Sequence, residues 1–160
     1  MIVIADSTPL IALSSLQRLN LLETFYGRIV IAQAVYDEVV RQGSGRSGAI
    51  EVASADWIQT QSLSNPASLH TFPPNLGTGE AETILLATQL SANLVIMDEI
   101  VGRRELVRRG LRLIGSIGVL QQAKLQGVIA ALRPELDALR RSGFHLSERV
   151  YRSCLAAVGE

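Results

Sequence analysis

Four apolar residues, Ile2-Val3-Ile4-Ala5, run without interruption into Asp6, and a helix start follows at once. An unbroken apolar run this short reads as a strand buried on both faces, hence parallel and central in its sheet. Thr8 can cap the next helix, and Pro9 suits its first turn. Asp6 then stands at the carboxyl end of a buried strand, where open α/β sheets hold their ligands. The pattern recurs at Leu94-Val95-Ile96-Met97-Asp98-Glu99. Two strands that deliver carboxylates to one rim point to a divalent-metal site.

The remaining segments alternate between the two periods. Leu10, Leu13, Leu16 and Leu21 give Pro9 to Leu22 a helical spacing. Ile29 to Ala32 reads as a second strand and Gln33 to Arg41 as the helix after it. Residues 41–48 are glycine- and serine-rich and read as a loop. A short helix is expected over Ile50 to Ala55, and an edge strand over Trp57 to Thr60. Ser62 to Gly77 holds Pro66, Pro73 and Pro74 and reads as a long surface loop. Gly79 to Leu90 is helical, with Thr78 as its cap. Leu94 to Met97 is the strand into Asp98, Val101 to Arg109 a helix ended by Gly110, and Leu111 to Ile114 a last strand. Two or three helices fill Ile117 to Val158, broken at Pro134 and Gly143. Strands alternating with helices predict a three-layer α/β/α arrangement around a central parallel sheet of four to five strands. No repeat divides the chain, so residues 1–160 read as a single domain.

Composition sets outer limits. The chain has 160 residues, enough for one core, and 48% of them are apolar. Fifteen basic residues balance fifteen acidic ones, which argues against a histone-like basic coat but leaves local basic patches possible. Cys154 is the sole cysteine, so no internal disulfide forms and a reducing compartment is expected. No signal-peptide pattern and no apolar run of about 18 residues is present. The expectation is a soluble, cytoplasmic protein.

Two further acids sit where the rim could use them. Glu38 lies on the helix after the second strand, in Val35-Tyr36-Asp37-Glu38-Val39-Val40. Glu80 opens the otherwise apolar helix Gly79-Glu80-Ala81-Glu82-Thr83-Ile84. Hard carboxylate oxygens suit Mg²⁺ or Mn²⁺. Two such ions about 4 Å apart activate water and stabilise the leaving oxygen in phosphodiester hydrolysis. Without a cation, clustered carboxylates repel one another.

Plainer readings stand beside these. Asp6 and Asp98 could be turn or cap residues, though an acid ending a buried run needs a partner. Glu38 could be a surface acid, and Glu80 could simply favour the positive end of its helix. Glu82 lies off Glu80's helix face and is held in reserve; Glu99 reads as solvated. Arg103, Arg104, Arg108 and Arg109 share one helix, and Arg41 and Arg46 flank the glycine-rich loop. They could meet phosphates or be a solvated face. His70 and His145 lack metal-ligand spacing, and Cys154 reads as packing. Ser7 and Thr8 have no paired histidine for nucleophilic chemistry.

The ordered acids resemble those of the PIN-domain ribonucleases: Asp6 at the first strand end, Glu38 in the second helix, Glu80 in a core helix, Asp98 at a late strand end. Asp6-Ser7-Thr8-Pro9-Leu10-Ile11 is similar to that family's opening. The Gly79-Glu80-Ala81-Glu82 run and the tail Gly143-Phe144-His145-Leu146-Ser147 are similar to a PIN subgroup predicted to bind nucleic acid, close to the VapC toxins of toxin–antitoxin pairs. The resemblance covers roughly Ile2 to Ala156, with a Glu at position 80 where Asp is usual. It implies a Mg²⁺- or Mn²⁺-dependent endonuclease of single-stranded RNA. Asp6, Glu38, Glu80 and Asp98 would be the metal ligands and catalytic acids, and Thr8 would orient Asp6 by a hydrogen bond. It also implies an antitoxin protein as partner and a homodimer.

Two rivals remain. One is a non-catalytic PIN-like module that binds nucleic acid or protein. The other is a receiver-type phosphoryl-transfer domain. The single Asp6 after the first strand, and the lack of a lysine after Leu111 to Ile114, disfavour the receiver.

Overall fold

The computed structural model describes residues 1–160. Five parallel strands, β1 (Val3–Ala5), β2 (Ile29–Ala32), β3 (Ile58–Gln61), β4 (Leu94–Ile96) and β5 (Leu113–Ile114), form one sheet in the order β3-β2-β1-β4-β5. β1 lies in the middle, and its three residues are fully buried. Ala5 pairs with Ile96 of β4, while Ile4 pairs with Val30 of β2 on the other side. The strand order reverses between β1 and β4, and the residues after these two strands are Asp6 and Met97-Asp98.

Nine helices complete the layers: α1 (Ser7–Ser15), α2 (Asn20–Tyr26), α3 (Gln33–Tyr36), α4 (Ala49–Ser54), α5 (Thr78–Gln89), α6 (Ile100–Arg108), α7 (Ser116–Leu125), α8 (Arg133–Arg141) and α9 (Glu148–Ala157). α5 packs on β1 and β2 and against α3 and α6; α1 and α2 pack against α7. The architecture is the three-layer α/β/α arrangement, with five strands. A cluster of 34 buried residues forms the core. No helix is long and apolar enough to cross a membrane.

Several local expectations change. The first helix begins at Ser7 with Asp6 as its N-cap, so Thr8 lies inside the helix and does not cap it. Gly77 likewise caps α5, and Thr78 is its first residue. The helix after β2 keeps α geometry only to Tyr36, then winds as a π-helical turn over Asp37–Arg41. The proline-rich loop contains a 3₁₀ segment, Pro66–Thr71, and Phe72 after it lies under the Arg109 guanidinium, 4.8 Å from its ring centre. β5 is two residues shorter than expected. The chain leaves α6 through Gly110, whose φ of +72° few other residues tolerate, and joins the sheet edge only at Leu113.

Candidate metal-binding and active site

Asp6 is 2% exposed and ends the central strand, its N–H donating to Ile96 O at 3.0 Å. Burial pushes its carboxyl up to about 7 against the opposing Ser7 N–H, and the carboxylates of Glu80, Glu38 and Asp98 push it further. Its Oδ1 is buried and has no hydrogen-bond partner. A buried oxygen of this kind is costly unless a proton or a cation satisfies it.

The other acids surround it from separate elements. Glu38 comes from the π-helical turn. Its Oε2 accepts from Ser7 Oγ at 2.6 Å and its Oε1 from Gly79 N–H at 3.0 Å. Gly79 makes that approach possible, since a Cβ there would stand 2.5 Å from Glu38 Oε1. Asp98 follows β4. Its Oδ1 accepts from Ser116 N–H at 2.7 Å and its Oδ2 from Ser116 Oγ at 2.6 Å. Burial holds the Asp98 carboxyl above its ordinary range despite these two bonds and the nearby Arg103. Glu80, in the first turn of α5, is half-buried. Burial raises its carboxyl, and Glu99 and Glu38 raise it further.

Thr8 does not orient Asp6. Its Oγ1 lies 3.5 Å from Glu99 Oε1, because starting the helix at Ser7 turns the second hydroxyl away from the strand end. The hydroxyl that reaches an acid of the rim is Ser7, through Glu38. Glu82 is turned from the cluster: its Oε2 accepts from Ala34 N–H at 2.9 Å, at the start of α3. Glu99 is exposed, but it bears on Glu80 and Asp98. Among the arginines, Arg103 donates to Met97 O at 2.9 Å beside Asp98. Arg108 and Arg109 are both held by Glu105, and Arg41 by Asp37. The sequence assigned no role to Ser116 or Gly115, and Gly79 stood out only as part of the Gly79-Glu80-Ala81-Glu82 run. A Cβ on Gly115 would stand 2.8 Å from both Asp98 Oδ1 and Arg103 Nη1. The small residues Gly115-Ser116 opening a helix after β5 were the available signal for two of them.

The donor set fits a divalent cation in kind, being all carboxylate oxygen with the unpartnered Asp6 Oδ1 at its centre. No three of these side chains converge on one point as they stand. Glu38 and Asp98 are turned to their hydrogen-bond donors, and each would ligate through lone pairs those bonds leave free.

An acidic rim at the switch point of a parallel sheet stands where open α/β folds hold their ligands. The chain belongs to the PIN-domain family: the family model DUF3368, described as a PIN domain, matches residues 2–160. A solved PilT N-terminus domain protein from the hyperthermophilic archaeon Sulfolobus solfataricus P2 shares the fold, with a TM-score of 0.51 and 19% identity. The match covers 77% of this chain and 93% of that one. No curated protein matches the chain.

Proposed function

We propose that the protein is a divalent-metal-dependent endoribonuclease acting on single-stranded RNA, a toxin or toxin-like member of a toxin–antitoxin pair. The observation that carries this reading is Asp6: a carboxylate buried at the central strand end, facing three other acids, with one oxygen unpartnered. Burying such a group costs stability, and a polar cluster that costs stability at a sheet's switch point points to function. Asp6, Glu38, Glu80 and Asp98 would hold Mg²⁺ or Mn²⁺. Such an ion, when bound, neutralises phosphate charge and acidifies water. Ser116 fixes Asp98, while Ser7 and Gly79 fix Glu38, so these acids meet a phosphodiester in set positions. An antitoxin protein and a second copy of the chain are the partners proposed from the family resemblance.

The test is cleavage of single-stranded RNA in Mg²⁺ or Mn²⁺ by wild type and Asp6→Asn. Cleavage should fall by orders of magnitude while folding is retained, and the exposed control Glu23→Gln should change little. Equal rates for wild type and Asp6→Asn would assign the activity to a contaminant. The rival reading, a PIN-fold binding module without chemistry, is favoured by the hydrogen bonds that turn Glu38 and Asp98 away from a common point. It predicts RNA affinity with no metal-dependent cleavage.

A further inference from the structure

A cleft of about 980 Å³ opens beside Asp98 and runs along the β5 edge of the sheet. Thr8, Asp98 and Glu99 form its acidic end. β5 and the start of α7 lie along its base, where Gly118 keeps close contact with the strand: a Cβ there would stand 2.6 Å from Ile114 Cγ1. The segment between α8 and α9 supplies another part of its wall, so Phe144 and His145 border the same cavity as Asp98. The Gly143-Phe144-His145 motif has no part in the acid cluster, yet the fold brings it there.

Beyond Asp98 and Glu99 no acid lines the cleft, and its one arginine, Arg103, is bonded to Met97 O. The lining is neutral and mixed. Phe144 is half-buried against the core and offers an aromatic surface. Gln121 donates its Nε2 to Cys154 O at 3.2 Å, which leaves Oε1 free to accept. His145 is exposed and makes no hydrogen bond within the protein. An aromatic face with a few edge-bonding groups is how proteins hold unstacked bases of single strands, whereas a phosphate calls for cations.

We propose that this cleft is a nucleobase subsite. It takes the base of the nucleotide adjoining the phosphate at the acidic rim, stacked on Phe144 and bonded at its edge by Gln121 Oε1. The proposal rests on the nuclease reading and adds where the substrate strand lies.

The test measures binding of nuclease-resistant 2′-O-methyl single-stranded oligonucleotides in Mg²⁺, by fluorescence anisotropy, with thermal melts of every variant. Phe144→Leu keeps apolar packing but removes the ring, and should weaken binding about 5- to 100-fold. Phe144→Tyr should bind like wild type. Gln121→Ala should change the order of affinity among the four homopolymers. An oligonucleotide abasic at the central positions should bind Phe144→Leu and wild type equally. Wild-type binding that Phe144→Leu leaves unchanged would overturn the subsite and spare the nuclease reading. So would an equal loss on the abasic strand, which marks damage to the fold. Failure of wild type to bind any strand would overturn both.

Discussion

At the scale of the residue, Asp6 decides most. Its carboxyl titrates near 7 in the fold, against an ordinary value of 3.8. Between those values the folded state holds more protons than the unfolded one, so stability falls as pH rises and the full penalty stands above about pH 7. The raised carboxyls of Asp98 and Glu80 act in the same direction. The Asp6 contribution is on the order of 4 kcal/mol. Asp6→Asn should therefore make the metal-free stability profile less steep from pH 4.5 to 8, with Asp98 and Glu80 leaving a residual slope. The variant should lie closest to wild type at the acid end and exceed it most at pH 8. Urea midpoints across that range check this, and parallel profiles would count against a buried, charged Asp6. The importance of this residue was legible in the apolar run before it. The hydroxyl that serves the site was not: Ser7 and Thr8 are adjacent in sequence, and only the helix start at Ser7 decides which one faces Glu38.

At the scale of the element, α5 and the π-helical turn are locked together at Gly79. An alanine Cβ there would overlap both Glu38 oxygens, at 2.5 and 2.6 Å. Glu38 would have to leave its bonds to Gly79 and Ser7. Alanine is the better helix former, so the fold should survive. Gly79→Ala should hold its melting temperature within a few degrees while cleavage of single-stranded RNA falls about tenfold or more. On a Glu38→Gln background the same substitution should add little, because the two act through one carboxylate. A kinetic double-mutant cycle measures this, and additive losses would show that Gly79 acts by another route. The strong periodicity of Gly79 to Leu90 made α5 readable in advance. The change of winding at Asp37 was not, since Val35, Val39 and Val40 suit an α-helix as well as a π-turn.

At the scale of the whole molecule, the four acids come from the ends of β1 and β4, the π-helical turn and α5, so a cation bound among them ties four elements of the folded state. Mn²⁺ at a hundredfold excess over Kd should add about 2.7 kcal/mol to folding. The gain should be larger at pH 8 than at pH 5, because the ligands must shed protons to bind. Thermal melts with and without Mn²⁺ at both pH values check this. An unchanged midpoint at pH 8 would remove the metal site.

By itself the sequence determined the class of fold and singled out the four acids proposed for the site. Apolar runs of four residues against helical spacing leave a parallel α/β sheet as the economical way to bury both, and an acid ending such a run is conspicuous because it breaks the pattern. Tertiary structure alone decided which strands are neighbours, and hence that Asp6 and Asp98 flank the switch point although 91 residues separate the helix-borne Thr8 from Glu99 beside them. It decided that Ser116, opening a helix after β5, would pin Asp98, and that Gly143-Phe144-His145 would border the cavity beside it. Such relations depend on strand order and on rotamers set by packing, and neither leaves a local periodic trace in the chain.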